Sequence, residues 1–145
     1  MLATNHVIFG ACVGSITKDP YLAFIAGTFS HLILDSIPHW GSSLNGINDE
    51  RLFIKVARID GITLSLLFLI LSLSTLPFKI PILLGAFGGL LFDLDKPFMH
   101  FFKIRIWPKW FDKLNYLIQR ESPKRWWVEL LAFTLFTTLF FYLNK

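Results

Sequence analysis

The sequence predicts an all-α fold: an integral membrane bundle of about five helices, with an amphipathic interfacial segment before the last. Three observations carry this expectation. Of 145 residues, 54% are hydrophobic and only 17% charged, with a mean hydropathy of +0.56, and so few charges cannot cover a water-soluble domain of this size. The apolar residues come in blocks separated by polar, proline-containing segments, as spanning helices do. Eleven of the fourteen basic residues fall on one side of those blocks, the bias that orients membrane helices. The length suits one domain, residues 1–145.

The first helix is expected over residues 6–16, short for a span, with Gly10 and Gly14 spaced for close helix approach. Cys12 follows Phe9-Gly10-Ala11, but no basic residue precedes this stretch, so it is expected to stay as a helix rather than be removed as a signal. As the lone cysteine, Cys12 forms no intramolecular disulfide. Thr17-Lys18-Asp19-Pro20 reads as a turn, with Pro20 starting a second helix over 21–37 that Pro38 ends or kinks.

Residues 40–48, rich in Gly, Ser and Asn, form a loop. Asn48 or Asp49 can cap a third helix whose apolar part covers 59–76. Pro77 and Pro81 bracket a turn into a fourth helix over 82–94, with Gly85, Gly88 and Gly89 available for packing. From 96 to 127, Phe and Trp interleave with Lys and Arg, as in a segment lying at headgroup level. The last helix covers 128–143.

Basic residues set the orientation. Arg51, Lys55 and Arg58 follow helix two, and eight more follow helix four, from Lys96 to Arg125; only Lys18, Lys79 and Lys145 fall on the other side. The positive-inside rule places both long loops and the N-terminus in the cytoplasm. The expected location is the cytoplasmic (inner) membrane, crossed several times. The net charge of +4 is explained by this orientation, so nucleic acid is not an expected partner.

All four histidines, His6, His31, His39 and His100, lie near helix ends on the cytoplasmic side, at the level of Asp35, Asp60, Asp93 and Asp95. His31-x-x-x-Asp35 puts both side chains on one stripe a turn apart. His39 would continue the stripe if Pro38 only bends the chain. Imidazole nitrogen and carboxylate oxygen are the usual donors for zinc or a similar divalent ion. A charged Asp within a membrane helix costs about 3 kcal/mol unless something neutralises it. Asp93 and Asp95 end helix four, where the helix dipole is already negative, so a cation is expected nearby.

Plainer readings stand beside this one. A lone His or Asp at a helix end is ordinarily a cap, an interface residue or half of an ion pair. Lys96 and Arg58 can neutralise the aspartates, Asp60 beside Gly61 can simply bound an apolar segment, and Glu129 can stabilise the start of the last helix. The convergence of His31, Asp35, His39, Asp93 and Asp95 from two helices nonetheless points to a shared metal site.

His6, the run Ser30-His31-Leu32-Ile33-Leu34-Asp35-Ser36-Ile37-Pro38-His39-Trp40 and the run Gly88-Gly89-Leu90-Leu91-Phe92-Asp93-Leu94-Asp95 together resemble the membrane-bound, predicted metal-dependent hydrolases, whose better-known members are the LexA-regulated, YdjM-like inner-membrane proteins. The resemblance covers about the first hundred residues, in pieces. It implies His6, His31, Asp35, Asp93 and Asp95 as metal ligands. Phe92 stands where that family usually has Pro and Lys96 where it often has His; His100 lies at a different offset.

The expected activity is therefore a metal-dependent hydrolase acting on an ester or phosphoester at the cytoplasmic membrane surface. His6, His31, Asp35, His39, Asp93 and Asp95 would hold one or two divalent ions, zinc by donor preference, and Asp95 or Asp60 would take the proton of the attacking water. The basic, Trp-rich segment 103–127 would hold anionic headgroups, suggesting a lipid or lipid-linked phosphate as substrate. The alternative is a non-enzymatic membrane protein with a structural metal or an ion-pair site. A proton or ion relay would need polar groups through the full depth, and the half away from the basic loops offers only Ser and Thr.

Overall fold

A computed structural model describes residues 1–41 and 50–145. The expected cap at Asn48 or Asp49, and all but the first residues of the loop at 40–48, lie outside the described residues. Among the described residues the chain is all-helical with six helices: α1 Ala3–Thr17, α2 Pro20–Ser36, α3 Glu50–Leu73, α4 Lys79–Leu90, α5 Lys109–Ile118 and α6 Trp126–Leu143. The expected count was about five. The additional helix, α5, lies inside the segment expected at the interface. It turns Phe111 into the protein while Trp110, Leu114 and Leu117 stay exposed.

Local chemistry sets most boundaries. Pro20 begins α2, and the Asp19 carboxylate accepts from the Leu22 N–H at 2.8 Å, the usual cap for an otherwise unpaired donor. α2 stops at Ser36 because Pro38 holds Ile37 extended (φ −75°, ψ 135°), so His39 does not continue the helical stripe. α3 ends at Leu73, three residues before its expected limit of 76. α4 starts at Lys79, with Pro81 in its first turn, where a missing N–H costs nothing. Beyond Leu90 its winding changes to a 3-10 turn at Leu91–Leu94, one α turn at Asp95–Pro97 and a π turn at Phe98–Phe102.

α1, α3 and α6 run one way, α2 and α4 the other. Small residues let α1, α2 and α4 touch backbone to backbone. A Cβ on Gly10 would lie 2.2 Å from the Gly85 carbonyl oxygen, and one on Gly89 would lie 2.3 Å from that of His6. Glycine is required at both crossings. α6 lies alongside α1, with Glu129 near Leu2 at one end and Asn144 donating to Ser15 at the other. Consequently the start of α1, the ends of α2 and α4, and the start of α6 share one end of the bundle.

Polar and apolar side chains share the interior. The apolar core is thin, comprising Val7, Ala11, Leu71, Ile82 and Ala86 and a second group around Ile8, Leu34 and Phe136. His6, His31, His39, Asp35 and Asn5 are as deeply buried as any of these. Meanwhile Ile62, Leu66, Ile70 and Leu73 of α3 and Leu131, Leu135 and Phe141 of α6 are exposed. The segments Ile54–Leu73 and Pro123–Leu143 are long and apolar enough to cross a membrane, yet only 6% and 17% of each hydrophobic stretch is buried within the protein.

Candidate metal centre

Asp35 is the hub of the polar end. From the last turn of α2, its Oδ1 lies 3.1 Å from His6 Nε2 on α1, and its Oδ2 lies 3.3 Å from His31 Nε2, one turn earlier on its own helix. Gln119, just past α5, donates to Oδ2 at 3.0 Å, and the Met1 nitrogen lies 2.8 Å from Oδ1. His6 and His31 stack with centroids 3.8 Å apart. Both rings therefore turn Nε2 to the same carboxylate.

Their other nitrogens, the Nδ1 atoms, are placed differently. His31 Nδ1 lies 2.8 Å from the Gly89 carbonyl oxygen, to which it donates, and 4.0 Å from Asp93 Oδ2. His6 Nδ1 and Asp93 Oδ2 are buried and have no hydrogen-bond partner among the described residues. Such atoms are ordinarily satisfied. His6, His31 and Asp93 each offer one donor atom, and these atoms lie within 4.8 Å of one another. Two imidazoles and a carboxylate, with His6 Nδ1 and Asp93 Oδ2 unpaired, offer the donor types that metal ions take. His6, His31 and Asp93 are thus placed to hold a metal ion.

This grouping sorts the expected ligands. His6, His31 and Asp93 come together. Asp35 stands behind the two histidines, in the position of the carboxylate that orients metal-bound imidazoles. His39 arrives on an extended segment instead of the helix: its N–H donates to the Arg120 carbonyl at 3.1 Å, and its own carbonyl accepts from the Ser122 N–H at 2.9 Å. Its Nδ1 donates to the Ile37 carbonyl at 2.7 Å, and its Nε2 lies 3.8 Å from Asp35 Oδ1 with no hydrogen-bond partner among the described residues. Burial pushes the His39 imidazole below its ordinary pKa.

Asp95 and Asp60 lie apart from the group. Asp95 Oδ1 accepts from the N–H groups of Ile106 and Trp107, closing the segment after α4. Asp60 reaches from α3 to the start of α1, accepting from the Ala3 and Thr4 N–H groups and the Thr4 hydroxyl. It serves as the cap that Leu2, at the N-cap position, cannot supply. His100 is exposed on the π turn, against Phe101. Lys96 donates to Asp93 Oδ1 at 2.8 Å, and the Asp93 carboxylate holds its ammonium above the ordinary lysine range.

Several contributors left little trace in the sequence. Asn5 was legible only as a polar residue beside His6. Its amide donates to Glu129 Oε2 at 2.8 Å, which also accepts from the Leu2 N–H, while Glu129 Oε1 accepts from the Trp40 N–H. Glu129 therefore ties α6 to the start of α1 and to the segment after α2. Gln119 and the Gly89 carbonyl carry no motif; only the chain's path brings them to the site. No known protein family, curated protein or solved structure matches the chain.

Proposed function

We propose that this chain is a multi-pass protein of the cytoplasmic membrane whose His6–His31–Asp93 group binds a divalent ion, zinc by donor preference, and hydrolyses an ester or phosphoester at the cytoplasmic face. The carrying observation is the pair of buried, unpartnered atoms, His6 Nδ1 and Asp93 Oδ2, beside His31. Three protein donors leave a coordination position open, as in hydrolytic zinc sites. A bound ion would supply Lewis-acid polarisation and acidify water.

The chain's own residues supply the rest. Asp35 orients both histidines. Asp95 Oδ1 and both oxygens of Asp60 accept from backbone N–H groups, and His39 Nε2 faces Asp35 at 3.8 Å. The resemblance to membrane-bound metal-dependent hydrolases rests on the same residues. Membrane integration is supported by the exposed apolar faces of α3 and α6, which a soluble protein would bury. The basic residues clustered between α4 and α6 support the orientation with the N-terminus inside.

The depth of the site favours a second reading. His6, His31 and Asp93 are 0%, 1% and 7% exposed, and Lys96 already pairs Asp93. A structural ion, or an ion-pair site without metal, would look similar. Elemental analysis of detergent-purified protein, with assays on p-nitrophenyl phosphate and p-nitrophenyl acetate, separates them. Near-stoichiometric metal and turnover, both lost in His6→Ala/Asp93→Ala, support the hydrolase. Metal without turnover supports a structural ion. Stable, metal-free protein that takes up no added zinc rejects the site.

A further inference from the structure

The segment joining α4 to α5 leaves a cleft of about 170 Å³, lined by Phe92, Asp95, Lys96, Trp107, Phe111 and Asn115 among others. Its walls are aromatic: the Phe92 ring lies 4.6 Å from that of Phe111 and 5.3 Å from that of Trp107. Set into them are polar atoms the fold does not use. Trp107 Nε1 and Asn115 Oδ1 are buried with no hydrogen-bond partner among the described residues. An indole N–H so placed ordinarily has an acceptor.

Lys96 brings positive charge. Its Nζ donates to Asp93 Oδ1, yet its side chain remains 45% exposed, so the ammonium has donors to spare. Asp95, the carboxylate in the lining, turns Oδ1 onto the Ile106 and Trp107 N–H groups. The cleft also adjoins the metal group, since Lys96 touches Asp93 and the Phe92 ring meets His31 edge-on at 5.5 Å.

We propose that this cleft binds the phosphate of an organic phosphate, with Lys96 Nζ and Trp107 Nε1 donating to its oxygens and the aromatic walls packing on the adjoining carbon chain. A phosphate presents several strong acceptors in divergent directions, matching a lysine and an indole that approach from separate elements. The cleft has room for part of the organic group as well. The choice of phosphate over other anions rests on the hydrolase reading of the neighbouring site; binding itself needs no metal.

Isothermal titration of the full chain in detergent, stripped with EDTA, tests this with dihexanoyl phosphatidate, inorganic phosphate and dihexanoylglycerol. Phosphatidate is expected to bind and dihexanoylglycerol not. Trp107→Phe, which keeps the ring and removes only the donor, should weaken phosphatidate binding about tenfold, the worth of one hydrogen bond to a charged group. Lys96→Gln should weaken it at least as much, each variant first matched to the parent in helical content by circular dichroism. Inorganic phosphate is expected to bind much more weakly than phosphatidate; equal affinity would overturn the part played by the aromatic walls and with it the assignment of an organic phosphate.

Equal affinity for dihexanoylglycerol, undiminished affinity in Trp107→Phe, or no binding by folded protein overturns the proposal. Metal content measured before stripping keeps the two readings apart. Phosphate binding by a chain that takes up no metal removes the hydrolase alone, and metal without phosphate binding removes the cleft proposal alone.

Discussion

His6 and His31 lie face to face, 17° from parallel, each directing Nε2 at a different oxygen of Asp35. Two imidazolium rings at this separation would repel, so the arrangement needs the carboxylate on one side and favours shared ligation on the other. Asp35 is therefore a positioning residue. Asp35→Asn preserves its shape and removes the charge that anchors both rings; zinc affinity should fall about tenfold to a hundredfold, the usual cost of losing such a partner. An unchanged zinc titration would place Asp35 outside the metal's influence.

Metal uptake should compete with protons for the imidazole nitrogens. His31 Nδ1 gives its hydrogen to the Gly89 carbonyl, so ligation through that atom must displace it, and imidazole binds metal only when that nitrogen is free. Zinc affinity is expected to fall as the solution is acidified. Titrations of zinc at several pH values check this, and an affinity that does not change with pH would contradict ligation through the histidines.

His39 adds a pH dependence of its own. Burial holds it below its ordinary pKa, so the unfolded chain takes up its proton first as acid is added. The stability due to neutral His39 is complete above its unfolded pKa of about 6.5 and is lost as pH falls through that value toward the folded one. Metal-free protein should unfold at lower temperature at pH 5 than at pH 7.5, and His39→Asn should flatten that difference. Equal slopes in parent and variant would assign it to other groups.

The glycine seam allows no side chain. Gly85→Ala directs a methyl at the Gly10 carbonyl, 2.2 Å from an ideal Cβ, so α1 and α4 must separate. A loss of about 1–3 kcal/mol is expected, as for overpacking elsewhere, read from unfolding in detergent. Gly61, with open space around its Cβ position, supplies the control: Gly61→Ala should be neutral or slightly stabilising.

Leu66 separates lipid from water as the surroundings of α3. It is 54% exposed. In water Leu66→Asp would be nearly neutral, within about 0.5 kcal/mol, whereas within a bilayer it would oppose insertion by roughly 3 kcal/mol. Loss of the protein from the carbonate-resistant membrane fraction is the expected result; a soluble, folded Leu66→Asp protein would argue against a spanning α3.

The all-helical character, the breaks at Pro20 and Pro38, and the candidate donors near helix ends were legible in the sequence, because period and proline chemistry are local properties; the helix Lys109–Ile118 and the early end of α4 at Leu90 were not. The glycines that let backbones touch were legible too, as spacing. Which donors face one another was not. Pro38 takes His39 off the helical stripe, and the winding change after Leu90 sends Asp93 toward His31 while Asp95 closes a loop. Asp60 and Glu129 become clamps on the start of α1 only because α3 and α6 lie against it. Side-chain direction at a helix end depends on the last turn's geometry and on the neighbouring helix, and both are decided by packing among segments far apart in the chain.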